Sequence, residues 1–155
     1  MAHNIYFEDI EVGQQVPAFE RETDFMNWNR YAAVNDEFVY LHMDDAVAKA
    51  AGQGEAFGMG NLRWAYVMNA LQNWVGDESE VRELSMQFRA INQKHEVLTT
   101  EATVTDKQIE DGEHRVLLDV NAGSDAGSAS RASGGGASAV SSRCTSAAVR
   151  SAAAS

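Results

Sequence analysis

The sequence predicts an α+β fold in which an antiparallel sheet wraps around one long central helix. Three observations predict it. Residues 57–76, FGMGNLRWAYVMNALQNWVG, place Trp64, Val67, Met68, Leu71, Trp74 and Val75 at three- and four-residue spacing. Leu62, Ala65, Tyr66 and Ala70 spread hydrophobicity over most of the remaining circumference, and a helix apolar nearly all round is a buried one. After Gly76 the period changes from helical to two, the period of a half-buried strand.

Taken in order, Phe7 and Ile10 anchor a lead-in loop, and residues 14–23 form a first strand in which Pro17 implies an edge or a bulge. Thr23 or Asp24 caps a helix carrying Phe25, Trp28, Tyr31, Ala32 and Val34. Residues 35–42 form a loop, because the helical pattern stops and no alternation replaces it. Asp44 or Asp45 then starts a short alanine-rich helix that Gly52 stops. The linker 52–60 contains Gly52, Gly54, Gly58 and Gly60, which allow close backbone approach to a ligand. The central helix is expected over 61–75, with Arg63, Asn69, Gln72 and Asn73 on its one exposed or interfacial edge. Leu84, Met86, Phe88 and Ala90 alternate with polar residues and predict a strand, followed by another over 97–107. Asp111-Gly112 signals a hairpin, and Val116, Leu118 and Val120 share one face of the strand after it.

With 155 residues the chain has one domain's worth of core. A formal net charge of −11 argues against general binding to nucleic acid or to anionic membranes. Cys144 stands alone, so no intrachain disulfide forms, which suits the cytoplasm. No apolar window is long enough to span a membrane, and the first residues do not have the pattern of a secretory signal.

Composition breaks sharply along the chain. All 13 aromatic residues lie at or before Phe88, and residues 123–155 are almost wholly Gly, Ala and Ser. That tail carries three Arg and one Asp, which leaves nine basic and 22 acidic residues in 1–122, a net charge of −13. The ordered domain is therefore expected over 1–122 and a disordered tail over 123–155, with the sheet's C-terminal strand missing and an edge left open. The abrupt change fits either a genuine flexible tail or a reading-frame shift in a GC-rich gene.

Of the four histidines, His3 is terminal, His95 lies in a turn between strands and His114 follows a turn, so all three are expected to be solvated. His42 differs. It sits in the loop between two helices, five residues after Glu37 and six after Asp36. A loop that doubles back brings either carboxylate to the imidazole, and such a pair holds and deprotonates a water near neutral pH. The plainer alternative is that His42 caps the following helix or packs beside Tyr40.

YAAVNDEFVYLHMDDAVAKAAG followed by AFGMGNL, together with the opening FEDIEVGQ, resembles the MaoC-like hydratase and dehydratase family of hot-dog proteins over residues 5–122. The family signature is Asp-x-Asn-Pro-x-His-x-Asp, then His-Gly-Met at the start of the central helix. The resemblance implies His42 as the catalytic histidine, Glu37 in the catalytic aspartate's place, Asp36 as the fallback carboxylate and Asp44 as a helix cap. It implies that the Gly58 N–H holds the thioester oxygen. This chain departs from the pattern at Glu37, at Val39-Tyr40 in place of Asn-Pro, and at Phe57 in place of the histidine before glycine.

The implied reaction is reversible hydration of a 2-enoyl thioester of lipid or steroid metabolism, with an acyl-CoA as substrate and no cofactor or metal. Phe57, Met59, Gly60, Leu62 and Trp64 are expected to shape the acyl tunnel. Arg63, Arg89 and Lys94 are expected to meet the carrier's phosphates. The resemblance also implies a homodimer, or a heterodimer with another hot-dog subunit, since some relatives pair an active subunit with a degenerate one. The alternative function is accordingly a non-catalytic partner or acyl-CoA-binding subunit. Thioesterase chemistry fits less well, because the central helix offers no carboxylate.

Overall fold

The computed structural model describes residues 5–124 and the backbone of 139–148; His3 and the rest of the tail lie outside the described residues. A 3₁₀ turn, Phe7–Asp9, leads to β1 (Gln15–Thr23), α1 (Phe25–Asn35), a second 3₁₀ turn (Tyr40–His42) and α2 (Asp45–Ala50). The long helix α3 (Gly60–Val75) follows, then β2 (Glu80–Leu84), β3 (Glu96–Glu110), β4 (Glu113–Ser124) and β5 (Ala139–Ala148). The five strands form one antiparallel sheet in the order β1-β3-β4-β5-β2.

The local signals act as the sequence implies. Asp24 caps α1 by accepting from the Asn27 N–H at 2.9 Å. Asp44 caps α2 by accepting from Ala46 and Val47 at 2.7 and 3.2 Å. The register of β1 on β3 slips between Val16 and Phe19, around Pro17, whose missing N–H cannot join the ladder. Asp111 and Gly112, at φ 53° and 82°, turn the β3–β4 hairpin.

Helix α3 joins two apolar clusters. Its C-terminal half supplies Val67, Leu71, Trp74 and Val75 to the sheet, against Ile10, Val16, Val104, Val116, Leu118 and Val120. Its N-terminal end supplies Met59 and Leu62 to a second cluster with Trp28, Ala32, Ala48 and Ala56 from α1, α2 and the linker.

Three expectations are corrected. The C-terminal strand is present: Ala139–Ala148 pairs with β4 on one side and β2 on the other, and Gly123 and Ser124 belong to β4. A strand needs backbone partners, which a Ser- and Ala-rich sequence supplies as fully as an apolar one. The alternation at 84–90 marks no strand beyond Leu84. Its backbone serves α3 instead, with the Ala90 carbonyl accepting from Arg63 and the Asn92 carbonyl from the Gly58 N–H. His114 is half-buried, with its ring edge-on to Phe7 at 4.8 Å.

Candidate active site

The N-terminus of α3 is where the chain gathers its chemistry. Helix α1 ends at Asp36, which adopts the left-handed conformation at φ 53°, and its N–H and that of Glu37 both return to the Ala32 carbonyl. This sharp exit turns Glu37 towards α3. Both Glu37 carboxylate oxygens accept from Asn61 Nδ2, at 3.0 and 3.1 Å. Asp36 itself is exposed and forms the helix exit.

Five residues later, the 3₁₀ turn closes through the His42 N–H to the Val39 carbonyl at 2.9 Å. The imidazole points at the linker, with His42 Nδ1 2.7 Å from the Phe57 carbonyl oxygen. A carbonyl only accepts, so Nδ1 carries a proton, and in the neutral imidazole Nε2 then presents a lone pair. The Phe57 ring stands edge-on to the imidazole, centroids 4.9 Å apart at 88°, and fixes its plane. Glu37 and His42 are thereby fastened to the two ends of one five-residue stretch, 57–61.

Gly58, the second residue of that stretch, is spoken for. Its N–H donates to the Asn92 carbonyl at 2.9 Å, so it is not the free donor that the resemblance implies. A Cβ at Gly58 would fall 2.2 Å from Asn92 Nδ2, which explains the glycine by space. The first intrahelical donor of α3 is the Arg63 N–H, to the Met59 carbonyl at 3.3 Å, and α3 has no side-chain cap. The N–H groups of Gly60 and Asn61 therefore have no acceptor among the described residues, and they sit at the positive end of the helix.

The family model of the MaoC-like domain, a dehydratase family, matches residues 10–126. The chain belongs to the MaoC-like family. Solved structures agree on the fold. The R-hydratase PhaJ1 from Pseudomonas aeruginosa superposes with a TM-score of 0.79 at 19% identity, covering 96% of this chain and 87% of that one. The (R)-hydratase from A. caviae, a protein involved in PHA biosynthesis, gives 0.73 at 18% identity over 92% and 98%. The ChsH1–ChsH2 complex from Mycobacterium tuberculosis gives 0.72 at 16% identity over 90% and 98%. No curated protein matches the chain in sequence.

Within this MaoC-like hot-dog domain, the residues expected to meet carrier phosphates are engaged elsewhere. Lys94 bridges Asp45 at 2.8 Å and Glu55 at 3.0 Å and lies over the Phe25 ring, with only 12% of its side chain exposed. Arg63 is buried, donates to the Ala90 carbonyl at 2.6 Å and packs on Phe88. Desolvation pushes its guanidinium pKa down, partly offset by Glu96. Both are structural cations, Arg63 tying α3 to residues 88–90 and Lys94 tying α2 to Glu55 of the linker, and Arg89 is exposed with a 3.3 Å contact to Gln87.

The expected tunnel residues also separate. Met59 is fully buried core, Gly60 packs against Phe88, and Trp64 is 41% exposed. Leu62 lines a cavity of about 360 Å³ bounded by β1, α1 and α3. Sequence reasoning passed over Asn61, whose only signal is a polar residue in the first turn of an otherwise apolar helix. It also passed over Asn92, which is 2% exposed with its side-chain oxygen unpartnered among the described residues. Among those residues no three His, Cys, Asp or Glu side chains form a metal site, and no helix is long and apolar enough to cross a membrane.

Proposed function

We propose that the protein reversibly hydrates a 2-enoyl thioester, with an acyl-CoA as substrate. The observation that carries the reading is the fastening of Glu37 and His42 to opposite ends of residues 57–61, with His42 Nε2 left as an acceptor. Glu37 and His42 hold a water between them. As its oxygen bonds to the β-carbon, they take its proton, the C=C electrons move towards the thioester carbonyl, and the shuttled proton closes the sequence at the α-carbon. Enolate charge collects on the thioester oxygen and is met by the N–H groups of Gly60 and Asn61, in place of the engaged Gly58. One such donor contributes about 3 kcal/mol. Asn61 has a second role, holding Glu37 in place. We further propose that the chain works in the cytoplasm, as a homodimer or beside another hot-dog subunit.

The test is hydration of short, long and steroid-like enoyl-CoA thioesters, followed by loss of enoyl absorbance. His42→Ala and Glu37→Ala are each expected to lower turnover by about 10²–10⁴-fold while the fold persists. Unchanged turnover in both variants sinks the assignment. A second reading, a non-catalytic partner or acyl-CoA-binding subunit, is favoured by the capture of both Glu37 oxygens by one amide. A folded parent that binds acyl-CoA without turnover selects it.

A further inference from the structure

The cavity between β1, α1 and α3 holds two arginines with no part in the chemistry above. Arg21 comes from β1 and Arg30 from α1, on a chain whose net charge is −11. Among the described residues neither has a carboxylate within ion-pair distance, whereas Arg82, Lys94 and Arg115 each bridge two carboxylates. Arg21 is held in place, its guanidinium 3.9 Å above the Phe19 ring and donating to the Glu20 carbonyl at 2.9 Å. The nearby acids are held away from both arginines by neutral donors: Asp24 caps α1 and Glu37 is held by Asn61.

The remaining walls suit a ligand that is anionic at one end and apolar behind it. Val34 and Leu62 are apolar, and Tyr31 and Tyr66 add aromatic faces with hydroxyl donors. The Tyr66 hydroxyl is pushed up mainly by burial; Arg21 and Arg30 pull it back and Asp24 opposes them, so both cations act on one point of the cavity against a single carboxylate. Tyr31 is also pushed up by burial and then by the charge of Glu37, which places the cavity beside that carboxylate. Leu62 in turn follows Asn61 in the chain. A volume of about 360 Å³ accommodates an oxyanion and several carbons.

We propose that this cavity is an oxyanion subsite, in which Arg21, Arg30 and the Tyr66 hydroxyl receive a carboxylate or phosphate borne by the ligand that reaches Glu37. That the oxyanion belongs to a thioester substrate rests on the hydratase reading; that the cavity binds an oxyanion does not. Binding by calorimetry on the full chain separates the two. Coenzyme A probes the phosphate source, and hexanedioate, with its dimethyl ester as control, probes the carboxylate source. Arg30→Gln and Arg21→Gln are each expected to weaken the bound anion about tenfold or more, equal to about 1.4 kcal/mol. Arg30→Lys should retain part of the affinity, and the ester should not bind.

Arginine-dependent binding of coenzyme A alone assigns the cavity to the carrier's phosphates. The same behaviour for hexanedioate alone assigns it to an acidic acyl end. Either result supports the subsite. Absence of binding by both probes, or affinities unmoved in both glutamine variants, overturns it. Arginine-dependent binding in a parent that never hydrates an enoyl thioester keeps the subsite and removes the hydratase. Both arginines are exposed, so the variants retain the core, and circular dichroism checks this.

Discussion

The two apolar clusters that share α3 are built on different principles. On the sheet side, Leu71, Trp74, Val104, Val116, Leu118 and Val120 bury large side chains, with the Trp74 indole N–H as their one polar group. On the other side, three of the six buried residues are alanines, set around Trp28, Met59 and Leu62. Directional polar ties are added on this side: the Asp24 and Asp44 caps, the Lys94 bridges to Asp45 and Glu55, the His42–Phe57 bond and the Glu37–Asn61 bonds. Burial is strong but indifferent to direction, whereas hydrogen bonds fix angles. The sheet cluster therefore anchors α3, and the ties around the second cluster fix the orientation of Glu37 and His42.

The contrast can be broken at its strong end first. Leu71→Ala removes a fully buried side chain from the sheet cluster and is expected to cost about 2–5 kcal/mol, read as a lower urea midpoint. Turnover per folded molecule should hold. A cost under about 1 kcal/mol means that the sheet cluster is not the anchor.

A smaller effect is expected where the clusters meet the linker. Gly58→Ala drives a Cβ into the Asn92 amide and should cost about 1–3 kcal/mol by overpacking. Adding Asn92→Ala in the same chain makes room and should recover part of that loss. Equal and additive penalties would show that the two residues do not meet.

The smallest effect concerns acid. Lys94 and the Ala56 N–H hold the Asp45 carboxyl below its ordinary value, so its contribution is complete above the unfolded value near 3.8 and is lost as pH falls through the lower folded one. Lys94 is raised above 10.5 by the same pair, so its contribution is lost only as pH rises beyond that. The melting temperature of Asp45→Asn should therefore lie below the parent's at pH 6 and converge with it towards pH 3. Parallel curves would remove the ion pair from the account of the second cluster.

Much of this organisation is legible in the residues. The α3 periodicity, both aspartate caps, the Pro17 bulge and the Asp111-Gly112 hairpin each rest on local physics, which sequence carries directly. The His42 and Glu37 positions follow from spacing and resemblance. What escapes is decided by partners distant in the chain. Residues 84–90 alternate like a strand, yet Arg63 claims the Ala90 carbonyl and Gly58 that of Asn92 just beyond. Lys94 looks like a free cation until α2 brings Asp45 to it from 49 residues away. Asn61 is merely the first residue of the expected helix until the α1 exit delivers Glu37.

The strand order has a consequence for how the chain comes to be folded. Among the described residues, β2 meets the sheet only through β5, although β2 directly follows α3 and β5 comes after every other strand. During synthesis, α3 and the β1-β3-β4 ladder can assemble while β2 waits without a neighbour and β4 offers a bare edge. Closure depends on a segment more than 50 residues downstream, a slow, non-local step. Until residue 148 has cleared the ribosome, the bare edge of β4 is open to strands of other chains.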